Sequence, residues 1–389
     1  MVSPSFVRIK LLTDTSGNSS FGKTGSPRWL PLLFFLASSL SQVEAQAPAL
    51  IQAPTLTKKD AVTLTDKKDA KIEYTAIDKD PSITLQGCSN ISIYCCDVHS
   101  IKLVNCTDIT IQNCWIHDST NNGVDAYGCK NLSVQGCRIE KVSSALYAQE
   151  SSGIQFLGNY AENVLGPFPR GQMVQFDTVT GSGNLIKNNY CVNFKGQSKP
   201  EDCINMFHSQ GDPKSPILIE GNYLMGDPVH GSAGKSKNGS GILLGDNDTK
   251  GGGGGGYQIC RGNIVINAGQ QGIEVAGGDA IQVEKNTVIG AQSDVSSVGM
   301  DAWNQSNAPG GTVSFSDNHV YWINKNGEPA SWWQGSGFTE VKLEGNQFDD
   351  PSLIDHALPH PPTKAPMPPA PVTRDGAMQL PWNTNATGH

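Results

Sequence analysis

Ile109-Thr110-Ile111-Gln112, closed by Asn113-Cys114, is one unit of a pattern that runs through most of the chain. Leu132-Ser133-Val134-Gln135 and Ile281-Gln282-Val283-Glu284 repeat it, with apolar and polar residues alternating before a turn. This alternation has the period of a β-strand. The pairs that close these runs are Cys95-Cys96, Asn113-Cys114, Gly136-Cys137, Asn159-Tyr160, Asn189-Tyr190, Asn222-Tyr223, Asn263-Ile264, Asn286-Thr287, Asn318-His319 and Asn346-Gln347.

The closing pairs recur at intervals of 18 to 41 residues. A unit of this length cannot bury its apolar side chains alone, so neighbouring units must stack into a continuous core. The sequence therefore predicts an all-β solenoid of about ten coils.

The composition agrees with many short strands joined by tight turns. Glycine occurs 43 times, and charged residues make up only 16% of the chain. Glycine-rich turns suit such a solenoid better than long amphipathic helices do. The net charge of −8 provides no basic surface, which argues against a nucleic-acid partner.

The N-terminal region has the pattern of a secretory signal. Arg28 precedes the apolar run 29–37, and the small-residue pattern Val43-Glu44-Ala45-Gln46-Ala47 follows it. The run is too short for a membrane span, and no other segment is apolar enough for one. Residues 1–47 are therefore predicted to be a secretory leader, and the protein is predicted to be secreted, either extracellular or periplasmic.

Three further regions follow the leader. Residues 48–80 are predicted to form a lead-in or capping segment, and residues 81–357 the solenoid domain. The proline-rich residues 358–389 are predicted to be a disordered tail.

The cysteines fall into register with the repeat. Two columns hold three thiols each, namely Cys88, Cys106 and Cys129, and Cys96, Cys114 and Cys137. Stacked coils lie about 4.8 Å apart, so these thiols are expected to pack as buried apolar groups. That spacing also permits disulfides, and this alternative stays open.

The coil repeat, the Gly-Asn-Tyr closures at 158–160 and 221–223, and a ladder of inward asparagines resemble the right-handed parallel β-helix of the pectin-lyase-like superfamily. The resemblance implies a single-stranded right-handed parallel β-helix, and it includes secreted polysaccharide lyases of the alginate and pectate type. The same fold carries hydrolases, epimerases and adhesins, so it does not select one activity. No catalytic motif of a named lyase family can be transferred to this chain.

A second strand follows each turn, and its side chains alternate between the two faces of the sheet. The column predicted to face inward contains Val124, Leu146, Val174, Ile204, Ile242, Ile273 and Met300. A column predicted to face solvent contains Asp125, Tyr147, Gln175, Asn205, Leu243, Glu274 and Asp301. A second outward column contains Tyr127, Gln149, Asp177, Phe207, Gly245, Ala276 and Trp303.

The two longest intervals of the repeat lie between Asn159 and Asn263. The extra residues must leave the solenoid as loops, at 194–202, 226–239 and 247–256. Loops on a rigid scaffold are where binding and catalysis concentrate. The polar residues beneath these loops are therefore the candidate site.

The leading hypothesis is β-elimination on a uronate polysaccharide, which requires a carboxylate-binding group, a base and an acid. The candidate catalytic residues are His208 or Lys199 as the base and Tyr147 as the acid. The candidate substrate-binding residues are Arg170, Gln175 and Asn205 at the carboxylate, with Glu274, Asp301 and Trp303 as further sugar subsites. Each assignment has a structural alternative, such as a turn hydrogen bond for His208 or a solvated charge for Lys199.

A cluster of carboxylates supports two other mechanisms. Asp177, Glu201, Asp202 and Asp246 can supply oxygen ligands to Ca²⁺, the one cofactor considered. Some of the same carboxylates suit an inverting glycoside hydrolase. A third alternative is a non-catalytic carbohydrate-binding or adhesive solenoid. In each case the expected partner is a polysaccharide, and the protein is expected to be a monomer.

Overall fold

The computed structural model describes residues 55–194, 197–226, 239–247 and 255–353. The predicted leader and proline-rich tail lie outside the described residues, as do 227–238 and 248–254 of the predicted loops.

The described chain forms three parallel sheets. The first sheet contains Thr57–Lys58, Thr75–Ile77, Asp97–Val98, Trp115–His117, Arg138–Glu140, Tyr160–Glu162, Tyr190–Val192, Tyr223–Met225, Ile264–Ile266, Thr287–Gly290, His319–Trp322 and Gln347–Phe348. The second contains Val62–Thr65, Ile83–Gln86, Ile101–Val104, Val124–Tyr127, Leu146–Gln149, Val174–Asp177, Ile204–Phe207, Ile242–Leu244, Gln271–Val275, Val298–Ala302 and Trp332–Gln334. The third contains Lys68–Glu73, Ser89–Tyr94, Thr107–Gln112, Lys130–Gln135, Ser152–Leu157, Leu185–Lys187, Ile217–Glu220, Gly256–Arg261, Asp279–Glu284, Gly310–Ser316 and Phe338–Glu344.

The order of strands within each sheet defines a parallel solenoid. Every third strand along the chain joins the same sheet, and each pairs in parallel with its counterpart one coil away. The second sheet has 11 strands, close to the ten or so coils that the sequence predicts. The predicted fold class is confirmed.

The repeat begins earlier than the predicted solenoid boundary. Val62–Thr65, Lys68–Glu73 and Thr75–Ile77 lie within the predicted lead-in segment 48–80, and they pair with the strands of the next coil. The chain therefore contributes strands to all three sheets before residue 81. The limits of the leader and tail stay predictions.

The interior contains the predicted apolar column and both columns of thiols. Val124, Leu146 and Val174 are fully buried and face one another on successive coils. All ten cysteines are buried and free, which confirms their predicted packing as core residues. The structure therefore contains none of the disulfides that the spacing permits among these ten cysteines.

An asparagine ladder runs along one inner corner of the solenoid. Side-chain Nδ2 atoms donate to the Oδ1 atom of the next rung at 2.8–3.2 Å, through Asn159, Asn189, Asn222, Asn263, Asn286, Asn318 and Asn346. Each Oδ1 from Asn189 onward also accepts the backbone N–H of the asparagine before it, as Asn222 does from Asn189 at 3.0 Å. The ladder satisfies buried amides that would otherwise destabilise the core.

The closing pairs quoted from the sequence do not all share one register. The pairs up to Gly136-Cys137 and those from Asn159-Tyr160 onward differ by one residue. Tyr160 pairs with Arg138, and the N–H of Cys137 donates to Oδ1 of Asn159 at 2.9 Å. The asparagine ladder therefore continues the cysteine column and not the column of Asn113. Asn113 lies one residue earlier, at a turn position with a φ of +54°. Gly158 occupies the same turn position in a later coil, with a φ of +58°. Asparagine is common at such left-handed positions, so the two kinds of asparagine look alike in sequence.

No helix long and apolar enough to cross a membrane occurs among the described residues.

Candidate functional site

The column predicted to face solvent is in the expected register, but most of it is buried. The exposed fraction is 5% or less for Gln175, Asn205, Glu274 and Asp301, and 9% for Tyr147. The prediction of solvent exposure is therefore wrong for these residues. Some of the residues that contact this column come from neighbouring coils, such as Ser240 and Gln305, which both donate to Glu274.

Four carboxylates define what we call the acidic row: Asp202, Asp246, Glu274 and Asp301. Asn205 joins the first two, because its Nδ2 atom donates to Asp202 Oδ2 at 2.7 Å and to Asp246 Oδ2 at 3.0 Å. Glu274 lies opposite Leu243 on one neighbouring coil and opposite Asp301 on the other. The row therefore runs along the solenoid axis over successive coils.

Ser240 connects Asp202 to Glu274. Its backbone N–H donates to Asp202 Oδ1 at 2.5 Å, and its hydroxyl donates to Glu274 Oε2 at 3.2 Å. The other oxygen of Glu274 accepts a hydrogen bond from Gln305 Nε2. Glu274 is thus fixed in orientation by one donor from each side.

Burial and mutual repulsion raise the pKa values along the row. Burial, with Asp246 as a further negative neighbour, raises the pKa of Glu274 to about 7. Burial, followed by the charges of Glu201 and Asp246, raises the pKa of Asp202 well above its ordinary value. Burial and the charge of Glu274 do the same for Asp301. Carboxyls that retain a proton near neutral pH can serve as proton donors.

A second cluster surrounds Tyr147, on coils closer to the N-terminus. The Tyr147 hydroxyl donates to Asp177 Oδ2 at 2.7 Å. The guanidinium carbon of Arg170 lies 3.7 Å from the centre of the Tyr147 ring. Burial and the hydrogen bond to Asp177 raise the pKa of Tyr147 to about 12, so its hydroxyl stays protonated at neutral pH.

The other predicted residues connect to these clusters to different degrees. Gln175 Nε2 donates to Asn205 Oδ1 at 3.2 Å, which links the two clusters. Glu201 accepts a hydrogen bond from Gln172 at 3.0 Å. Lys199 is exposed, and the ring of His208 stacks on Phe207 with ring centres 3.9 Å apart.

The predicted calcium site receives no support from the geometry. Within the parts of the chain that the structure describes, no group of three or more His, Cys, Asp or Glu side chains is arranged to hold a metal ion. Asp177 is engaged by Tyr147, and Asp202 and Asp246 converge on the Asn205 amide.

Sequence reasoning missed Ser240, Gln305 and Trp333. Only one glycine separates Ser240 from the strand Ile242–Leu244, so the repeat itself could have indicated the register of Ser240. Trp333 pairs with Asp301 on a coil beyond the last one aligned from the sequence. Gln305 has no such signal, because it lies beyond the strand Val298–Ala302.

Fold and site together define a parallel β-helix with a largely buried acidic row along its second sheet. Residues 60–204 match the family model described as "Right handed beta helix region". The fold is therefore a right-handed parallel β-helix, as the sequence predicts.

Several solved structures are similar to the chain at low identity. A surface adhesin of Streptococcus pneumoniae, PfbA, is 12% identical, with 72% of this chain and 71% of that chain covered and a TM-score of 0.45. A mutant of the periplasmic alginate epimerase AlgG is 11% identical, with 75% and 76% covered and a TM-score of 0.43. The catalytic domain of an alpha-1,3-glucanase variant in complex with nigerose is 13% identical, with 76% and 65% covered and a TM-score of 0.35. Likeness at this level assigns no activity to the chain.

A search of curated protein sequences finds no significant match.

Proposed function

We propose that the protein is a secreted, carbohydrate-active β-helix that hydrolyses glycosidic bonds with the carboxyl groups of the acidic row. One observation carries this proposal: Asp202, Asp246 and Glu274 come from successive coils and are joined through Asn205 and Ser240. Glycoside hydrolysis needs one protonated and one ionised carboxyl on either side of the scissile bond. The proposed export rests on the predicted leader.

Glu274 is suited to the role of general acid. Its pKa of about 7 keeps a substantial fraction protonated at neutral pH. A proton from this carboxyl can pass to the oxygen of the departing sugar as the glycosidic bond breaks. The hydrogen bonds from Ser240 and Gln305 hold the carboxyl in place for that transfer.

Asp246 is the better partner for Glu274, and Asp202 is a positioning residue. Asp246 is half-buried, whereas Asp202 is 3% exposed. Their two oxygens share the Asn205 amide at 2.7 and 3.0 Å, and so lie closer together than the roughly 6.5–9.5 Å of an inverting pair. We therefore assign Asp246 as the base that activates the attacking water opposite Glu274, an assignment that requires a separation of roughly 6.5–9.5 Å between these two carboxyls.

A uronate lyase is the second candidate, and the Tyr147 cluster favours it. Arg170 can neutralise a substrate carboxylate, and the protonated Tyr147 beside it can donate to the leaving oxygen. The base would have to be His208 or Lys199, and Lys199 is exposed. We place hydrolysis of a neutral glycan first, because Glu274 supplies the proton donor that hydrolysis needs, whereas one of the two candidate bases for elimination is exposed.

One experiment separates these candidates and the adhesive alternative. The exported form is incubated with alginate, pectate and neutral glycans while reducing ends and the ultraviolet absorbance of unsaturated uronates are followed. Reducing ends without absorbance, abolished in Glu274→Gln and retained in the matched Asp125→Asn control, are expected. Absorbance that disappears in Tyr147→Phe would indicate elimination instead. Silence across the whole panel would leave the non-catalytic carbohydrate-binding role and refute hydrolysis.

A further inference from the structure

Two exposed tryptophans lie where the acidic row ends. Trp333 pairs with Asp301 on the adjacent coil, in the same outward column as Glu274. Trp303 follows the strand that contains Asp301, and the two indole rings are 6.0 Å apart at an interplanar angle of 80°. The exposed fraction is 44% for Trp303 and 48% for Trp333, which is unusual for the largest apolar side chain. Exposed apolar surface of this kind commonly marks a binding site.

The position of Trp303 depends on a glycine in the next coil. A Cβ atom at Gly335 would lie 2.7 Å from Cδ1 and 2.8 Å from Cβ of Trp303. Trp303 can therefore lie directly against the backbone at Gly335 only because that residue has no side chain. The local packing holds the indole in place while leaving nearly half of its surface exposed.

Asp301 adds an unsatisfied polar group beside the tryptophans. Its exposed fraction is 2%, and its Oδ1 atom has no hydrogen-bond partner among the described residues. A buried polar atom without a partner destabilises the fold, so its retention requires an explanation. A hydroxyl group of a bound molecule is the simplest donor.

We propose that Trp303, Trp333 and Asp301 form a subsite for an uncharged pyranose of the substrate chain. A pyranose has an apolar C–H face that can pack on an indole ring and hydroxyl groups that can donate to a carboxyl oxygen. A uronate in the same place would have to desolvate its charged carboxylate against the buried carboxyls of Asp301 and Glu274, which costs more than placing an uncharged ring there. This inference deepens the proposed function and depends on it for the chain that occupies the subsite.

Binding is tested by calorimetry with the whole protein and oligosaccharides of graded length. The neutral probes are laminari-, malto- and manno-oligosaccharides, and the anionic probes are oligogalacturonates and alginate oligosaccharides. Trp333→Ala and Trp303→Ala are each expected to weaken binding of the preferred neutral probe about tenfold. Trp333→Phe is expected to restore part of the loss.

Tyr127→Ala is the matched control, because Tyr127 is 43% exposed on the same sheet, three coils before the coil of Asp202. Its affinity for the preferred probe is expected to equal that of the wild type. Thermal unfolding of each variant separates loss of binding from loss of folding, and the phenylalanine variant provides a second folded test.

Three results would overturn the subsite: preferential binding of the anionic probes, binding that is unchanged in both alanine variants, or no binding by any probe. Neutral probes that bind through the tryptophans but are not cleaved would refute hydrolysis and retain the subsite. Cleavage with an unchanged KM in Trp333→Ala and Trp303→Ala would retain hydrolysis and refute the subsite.

Discussion

Replacing Glu274 with glutamine is expected to remove a specific pH dependence of stability. Burial raises the pKa of this carboxyl from 4.5 to about 7 in the folded protein. At about 1.36 kcal/mol per pH unit, the difference corresponds to about 3 kcal/mol. The folded-state pKa is raised, so this stability is fully present below pH 4.5 and is lost as the pH rises through about 7. Glutamine stays neutral throughout and has no such loss.

The substitution also has a pH-independent cost that must be separated from this effect. Both oxygens of Glu274 accept hydrogen bonds, one from Ser240 and one from Gln305. Glutamine offers one acceptor, so one of these donors loses its partner at a cost of about 1–3 kcal/mol. The diagnostic quantity is therefore the change with pH of the difference in unfolding free energy between wild type and Glu274→Gln.

The measurement is urea denaturation of both proteins across a pH range from about 4.5 to 8. Glu274→Gln is expected to gain about 3 kcal/mol relative to wild type between the two ends of that range. Parallel curves with a constant offset would refute the raised pKa of Glu274. The assignment of the general acid would then lose its electrostatic basis, whatever the hydrolytic assay gave.

Three further predictions concern the scaffold. Asn222→Ala removes four buried side-chain hydrogen bonds of the asparagine ladder. Urea denaturation is expected to show a loss of about 3–5 kcal/mol in the free energy of unfolding, more than for Asn346→Ala at the half-buried end of the ladder. Thiol reductant should leave the melting temperature unchanged, and alkylation should require unfolding, because all ten cysteines are free and buried. Gly272→Ala, whose Cβ would lie 2.2 Å from Val288 Cγ1, should cost about 2 kcal/mol or more in unfolding free energy. Gly262→Ala, with no atom within 4 Å but a φ of +61°, should cost only about 1 kcal/mol.

The sequence was sufficient to predict the fold because one local pattern specifies it repeatedly. Strand alternation in a coil such as Ile109-Thr110-Ile111-Gln112 gives the direction of every side chain, and stacking then aligns the coils. The error of one residue at Asn113 and Asn159 arose from chemistry that the two positions share. A left-handed turn residue and a buried ladder residue both favour asparagine, and only the pairing of Tyr160 with Arg138 distinguishes them.

The site was only partly predictable, because its environment depends on residues distant in sequence. Glu274 was placed in the correct column, but its burial and raised pKa depend on Ser240, 34 residues before it, and on Gln305, 31 residues after it. No local pattern indicates that such side chains will cover an outward position. Predicted exposure consequently failed where predicted direction succeeded.

The asparagine ladder explains how the chain can acquire such a site without disturbing its register. The bond from Asn222 to Asn263 is 2.9 Å long and spans 41 residues, while that from Asn263 to Asn286 is 3.0 Å long and spans 23. The rung spacing is thus independent of how much chain leaves the coil between rungs. Lengthening a flexible loop is also inexpensive, at about 0.6 kcal/mol for each doubling. Loops can therefore grow over the acidic row and change what it binds, while Asp246 and Glu274 keep their places on adjacent coils.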